Sequence, residues 1–497
     1  MIGLSEVDEL IQQAFLLRAH GATDQAEARL TEALAQVPDH PMALTRLAEI
    51  EVDRKQHEPA TRRLRAVLRR QPYFAPAWAV LAHAAWLAGN AAEGLRHARR
   101  AVDIQPPNPH FRLVLAQFCV WLYRHAEVPA LLAPLIAEDQ PDPTIRARAL
   151  SLQGEMLVAA GDFAAADPWL RAALALAPEL VATRLAYGMN RLRQGDFAAG
   201  WPEYEIRAQV SFFHPTGPPQ RPGTPWTGQD LRERSILVED EQGFGDAIQF
   251  FRYLGQLRDA GAARIVLRSF PTLASLLQAA APFAEIVSEL PTGFAADFHC
   301  FSASLPHGFR TRLETIPADV PYLVAPALAG RPHLVLPETG RPRVGLVWSG
   351  DRRHLRDHQR SIPAERFLRL ADRLDCDFVS LQAAVRPADQ PALAARPMVL
   401  RLGEQVQDYA DTAAVIGQLD LVISVDTSVA HLAGALGKPV WMLLPISPDW
   451  RWLAGRADSP WYPTARLFRA DRRGWAPVLR RVAAELGRLA GLRDGAA

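Results

Sequence analysis

The chain has 497 residues, 49% of them hydrophobic, which suits about three folding units that each build a core. Its 55 basic and 54 acidic side chains leave a net charge of +1, which points away from DNA, RNA and anionic membrane surfaces as partners. Cys119, Cys300 and Cys376 lie far apart with no CxxC or Cys/His cluster, against a disulfide framework or a structural zinc site. No run of about 18 uncharged apolar residues occurs, and the opening MIGLSEVDELIQQ lacks the basic-then-apolar pattern of a secretion signal. A cytoplasmic protein with no membrane span is therefore expected.

Residues 1–210 carry an internal repeat. Pro38, Pro72 and Pro106 follow one another at the 34-residue period of tetratricopeptide (TPR) repeats. Ala14, Gly21, Ala26, Leu30 and Ala33 accompany the first proline; Ala48, Ala60 and Leu64 the second; Trp78, Leu81, Gly89 and Ala101 the third. A looser, slightly longer unit follows around Phe118–Pro141, then a regular one with Gly154, Gly161, Ala166, Leu170 and Pro178, and a partial one with Gly188 and Gly195. Small residues let two helices pack closely, the glycine closes the turn inside a repeat with positive φ, and the proline stops the second helix. One helical hairpin cannot bury its apolar face alone, so such units stack and present a concave surface.

Residues 213–230, with five prolines and three glycines, read as an extended linker, taken as 211–231. Beyond it, short β-rich runs alternate with helical patterns. Candidate strands are Ser235–Val238, Arg264–Leu267 and Ala296–Cys300, then, after a second Pro/Gly-rich stretch at 325–342, Arg343–Trp348, Phe378–Leu381, Leu421–Val425 and Val440–Leu444. This alternation predicts parallel sheets covered by helices. The two blocks are expected to be two Rossmann-like lobes, 232–335 and 336–497, with a hinge-like joint and a cleft between them.

Four stretches could carry chemistry. In ILVEDEQGFGDAIQFFRYL (236–254) a strand enters a loop with Gly243 and Gly245, and Asp246 opens an amphipathic helix. Open α/β sheets bind ligands at the carboxyl ends of their strands, so this loop should face the cleft, where its glycines allow close approach of a ligand. Asp246 can equally be no more than a helix cap. In RPRVGLVWSGDRRHLRDHQRSIP (341–363) a strand ends at Trp348, Ser349 and Gly350 begin a loop, and Arg352, Arg353, His354, Arg356, His358 and Arg360 follow. That loop suits a diphosphate, or is a solvated charge run.

In DLVISVDTSVAHLAGALGKPVWMLLP (420–445) a strand ends in Asp426-Thr427-Ser428 and a helix follows at once, making an anion site of free N–H groups, with the Thr427 and Ser428 hydroxyls as further donors and His431 on the first turn. The plainer reading has these residues capping and packing. In PDWRW (448–452) and DSPWYP (458–463), aromatic residues with Asp449 and Arg451 could line a sugar or base pocket; for Trp452 and Trp461 packing is the favoured role.

The pieces EQGFGD, VGLVWSG…RSIP and VDTSVAHLAGALGKPVW together resemble the C-terminal domain of bacterial TPR-linked glycosyltransferases, itself similar to the heptosyltransferase-like GT-B family. The junction GDFAAGWPEYEIR (195–207) resembles the segment that joins repeats to this domain. The resemblance implies a TPR superhelix followed by a GT-B fold and an inverting, metal-independent transfer from a nucleotide sugar, which is a substrate rather than a cofactor. It implies Asp246 as the base, and Ser349, Gly350, Arg360, Ser361, Gln382, Asp426, Thr427, Ser428 and His431 around the donor. It departs from the family at Ser428, where glycine is usual, and at Arg360, where lysine is usual, which bears on donor identity more than on fold. Relatives of this layout are associated with protein O-glycosylation, including that of flagellin, so a protein or peptide acceptor on the concave TPR face is expected. The rival expectations are a non-catalytic TPR scaffold and an enzyme acting on a lipid or saccharide.

Overall fold

The structure, a computed structural model, describes residues 6–209, 221–354, 356–372 and 374–494. The chain divides into two compact units, Met1–Thr183 and Arg184–Ala497.

The first unit is a TPR array of helical hairpins: Glu6–Ala19 with Thr23–Gln36, Pro41–Asp53 with His57–Arg70, Ala75–Leu87 with Ala91–Ile104, Pro109–Trp121 with Val128–Ile136, and Pro143–Ala159 with Phe163–Leu176. Gly21, Gly89 and Gly161 hold the left-handed turn position with φ near +80°. In the second and fourth repeats Lys55 and Tyr123 occupy it instead, which weakened the glycine pattern there without changing the turn. The looser unit expected around Phe118–Pro141 is corrected: the extra residues lie in the next repeat, read as regular, whose first helix Pro143–Ala159 has 17 residues where those of the preceding repeats have 13 or 14. Asn90, Asn108, Asp142 and Asp162 cap their helices through side-chain oxygens. Ala26, Ala33, Ala48, Ala60 and Leu64 are wholly buried, in small apolar clusters strung from hairpin to hairpin.

The expected array boundary at 210 is corrected. The second unit takes over at Arg184, within helix Val181–Arg193, and includes helix Phe197–Tyr204. Leu192, Phe197, Trp201 and Tyr204 join its core, and Trp201 donates to the Thr311 carbonyl (2.8 Å). This last hairpin keeps the repeat's sequence pattern but buries its apolar face against an α/β domain.

The second unit contains two all-parallel sheets. The first has strands β1 (Thr224–Pro225), β2 (Ser235–Glu239), β3 (Arg264–Arg268), β4 (Glu285–Val287) and β5 (Phe298–Phe301) in the order β1-β5-β2-β3-β4. The second has β6 (Arg343–Val347), β7 (Asp377–Ser380), β8 (Leu400–Arg401), β9 (Leu421–Val425), β10 (Val440–Leu444) and β11 (Ala465–Arg469) in the order β11-β10-β9-β6-β7-β8. Read from β8, that is the 3-2-1-4-5-6 order of doubly wound dinucleotide-binding sheets, and the direction of winding reverses between β6 and β9. In the first sheet it reverses between β2 and β5. Along β9, Val422 faces one apolar cluster while Leu421, Ile423 and Val425 face another, so the strand is buried on both sides.

Two sequence expectations change here. The linker ends earlier than 231: residues 210–220 lie outside the described residues, but β1 pairs with β5 and Trp226 is buried. The joint expected as hinge-like is pinned, because Gln418 accepts from Leu336 N–H and donates to the Leu334 carbonyl, both at 2.9 Å. The chain already meets the second lobe at Tyr322, whose N–H donates to the Ala435 carbonyl. Among the described residues no helix is long and apolar enough to cross a membrane.

Candidate functional site

Both winding reversals bring their strand ends toward one junction. On the first lobe, β2 runs into residues 239–243 and then helix Phe244–Phe251. On the second, β9 runs into helix Ser428–Ala435. The two helices meet at Gly245: a Cβ there would lie 2.9 Å from His431 Cδ2 and 3.6 Å from Ser428 Cα. What approaches the Gly245 backbone is therefore the other lobe, not a ligand. Gly243 is different; a Cβ there would meet only an Asp246 oxygen, at 3.5 Å, so its face stays open.

Asp246 does cap its helix, accepting from Gly243 N–H at 3.0 Å. It is more than a cap, because its other oxygen is ion-paired with Arg451 from PDWRW. Arg451 is buried, also bonds Asp449 (2.7 Å), and lies over the Trp450 ring at 4.6 Å. Burial raises the Asp246 pKa and the Arg451 charge opposes that rise. From sequence Arg451 could line a sugar or base pocket; its pairing with Asp246 had no signal beyond an arginine among tryptophans after a strand.

On the second lobe, Arg360 turns away from the exposed Arg352, Arg353 and His354. Its Nη1 donates to the Asp426 carbonyl at 2.9 Å, which brings the basic loop and the helix start together. Arg353 instead pairs with Asp351 (2.6 Å). The hydroxyl of Ser349, buried, and the Arg360 Nε have no hydrogen-bond partner among the described residues. Ser361 and Gln382 brace the loop: Ser361 Oγ accepts from Gly350 N–H (3.0 Å) and donates to Asp357 (2.7 Å), while Gln382 donates to the Ser349 carbonyl (3.1 Å). These two shape the loop before any ligand arrives.

Burial, with Asp449 nearby, pushes the Asp426 carboxyl up to about 6, against the pull of Arg360. His431 bonds the Tyr462 hydroxyl through Nδ1 (2.9 Å), lies 3.9 Å from Asp426 through Nε2, and packs on Trp452. Burial depresses its pKa to about 3, so it is neutral near pH 7. The Ser428 hydroxyl is shared with Tyr409 (2.7 Å) and that of Thr427 with Ser424 (3.0 Å). Trp452 and Trp461 are fully buried, the packing role. What remains is an anion-favouring strand end on one lobe facing a carboxylate-rich strand end on the other.

The tetratricopeptide repeat family profile matches residues 17–84. Protein FlbA of Caulobacter vibrioides is 27% identical over 337 residues, covering 62% of this chain and 55% of that protein. The chain thus spans about half the length of this curated relative. Among solved structures, a thermophilic TPR protein of Thermus thermophilus is 22% identical (TM-score 0.33) and aligns with 37% of this chain and 99% of its own. YrrB, a TPR protein described as having an unusual peptide-binding site, is 14% identical (TM-score 0.26) and aligns with 40% of this chain and 93% of its own.

Proposed function

We propose that the α/β unit is a GT-B glycosyltransferase that moves a sugar from a nucleotide-activated donor to a hydroxyl with inversion. The observation that carries this is the pair of winding reversals facing each other, one ending in Arg360, Asp426 and a helix N-terminus, the other in a cluster of carboxylates. On this reading the donor diphosphate lies against Arg360, the Ser349 hydroxyl and the Ser428 helix start. A carboxylate of the first lobe takes the acceptor O–H proton, the acceptor oxygen bonds to the sugar's anomeric carbon, and the bond to the nucleotide's phosphate breaks. Arginine and helix N–H groups carry the leaving charge, so no metal is called for. The resemblance assigns the base to Asp246.

A protein acceptor, with flagellin as one example, would be held in the cytoplasm by the repeat unit. The surface offered there joins neighbouring first helices: Arg18 pairs with Glu49 and Asp53, Arg46 lies 4.7 Å from the half-exposed Phe15 ring, and Trp86 stacks on Trp121 at 4.2 Å. The scaffold reading draws on one observation, the occupation of both Asp246 oxygens by protein partners.

The test is calorimetric titration of the full chain with UDP, GDP, dTDP and CMP. Removing a charge-assisted hydrogen bond costs about 1.5–3 kcal/mol, so Arg360→Ala should weaken binding about tenfold or more. Unchanged affinity in that variant removes Arg360 from the donor site. No binding and no sugar transfer by the wild type sinks the enzyme reading and leaves the scaffold.

A further inference from the structure

Four acidic side chains occupy residues 239–246, and three of them already have arginine partners. Glu239 pairs with Arg268 (2.6 Å) and Arg221, Glu241 with the buried Arg207 (2.7 Å), and Asp246 with Arg451. The fourth, Asp240, pairs with no cation among the described residues. It stands at the carboxyl end of β2, the strand on which the first sheet reverses its winding. Its Oδ2 accepts from Ser269 Oγ at 2.6 Å, just beyond β3.

We propose that Asp240, rather than Asp246, accepts the proton of the acceptor hydroxyl, and that Asp246 is a positioning residue that holds Arg451 and closes the helix start. This rests on the glycosyltransferase reading of the cleft. A carboxylate in an ion pair is a poor base, because the cation favours its charged form. A base works best when its pKa lies near the operating pH. Asp240 meets that condition: burial pushes its carboxyl up to about 6, Asp246 and Glu241 push the same way, and the Ser269 hydroxyl opposes them. Asp246 is the less suited of the two, since one oxygen serves the Gly243 N–H and the other Arg451. In the step itself, the acceptor O–H bond breaks toward an Asp240 oxygen as the oxygen–carbon bond to the sugar forms and the nucleotide leaves with the electron pair of the broken bond.

The experiment measures turnover of UDP-, GDP-, dTDP- and CMP-activated sugars by the full chain, with nucleotide affinity and melting temperature recorded for each variant. Asp240→Asn should lower turnover by about 10²–10⁴-fold with nucleotide affinity unchanged, whereas Asp246→Asn should lose less than about tenfold. Ser269→Ala removes a donor that favours the ionised carboxyl, so the acid limb of its pH–rate profile should move to higher pH, a shift that a purely structural serine would not cause. If Asp240→Asn is too unstable to assay, that pH profile decides alone. Near-normal turnover in Asp240→Asn, or an unmoved acid limb in Ser269→Ala, overturns the assignment while the enzyme reading stands. A wild type that binds nucleotide and turns over none of these sugars overturns it together with catalysis, and one that binds none removes the donor site as well.

Discussion

In the repeat unit the buried residues are almost all alanine, leucine and other apolar side chains, with Thr45, Glu51, Ser151 and Thr183 the polar exceptions among those described. In the α/β unit Arg193, Arg207, Glu239, Glu241, Arg252, Asp357 and Arg451 are all buried. Many of the repeat unit's ion pairs lie at the surface, such as Arg29–Glu32, with about half of each side chain exposed. Charge is expensive to bury, and breaking one member of a buried pair is worse than never having had it. Several of them, Glu239, Glu241 and Arg451, lie at or beyond strand ends on the two sides of one junction. The interior of the repeat unit shows what this chain does where a core needs only apolar packing.

The sharpest way to test that contrast is to break a pair on each side. Glu241→Gln leaves the Arg207 guanidinium buried beside Glu205 alone, and should cost about 4 kcal/mol, read by urea unfolding with hydrogen exchange across β2 and β5. A loss under about 1 kcal/mol would mean these charges are not structural neighbours in the way drawn. In the repeat unit the equivalent damage comes from a cavity. Leu64→Ala, at a site with no solvent exposure, should cost about 3 kcal/mol and show as lost exchange protection in residues 41–84.

A smaller effect separates the units by pH. Asp426, held at about 6, binds a proton in the folded state that an unfolded aspartate releases nearer 4. Its contribution therefore falls as pH rises from about 4 to 6. The melting-temperature difference between Asp426→Asn and wild type should shift in favour of the variant across that window, and a flat difference curve would contradict the burial assigned to Asp426. The smallest effect expected is from Arg29→Ala in the repeat unit, within about 0.5 kcal/mol, because exposed i,i+3 pairs contribute little. A larger loss there would erase the distinction between the two regions.

Much of the architecture was legible in the residues alone. A 34-residue spacing of prolines, with small residues in step, has one physical solution, and alternating apolar runs and helical patterns predict parallel sheets because each run lacks a polar face. The seven candidate strands all form, with ends shifted by a residue or two. β1, β4, β8 and β11 escaped notice because they are short or, like ARLFR in β11, broken by arginines. In the candidate site, residues 243–246 and 426–431 stood out in the sequence because a strand running directly into a helix leaves free N–H groups wherever it occurs.

Other features depended on partners far away in the chain. Nothing near residue 200 reveals that Trp201 packs on Trp450, nor anything near 246 that Arg451 pairs with Asp246. Whether a glycine admits a ligand or a neighbouring helix, as at Gly243 and Gly245, depends on what the fold places opposite it. Whether an aspartate is locked or available, as at Asp246 and Asp240, depends on which arginines share its pocket. Helix and strand patterns are local properties of backbone and side chain, and so are written in the sequence. Burial of charge is a property of contacts between distant segments, and only the tertiary structure decides it.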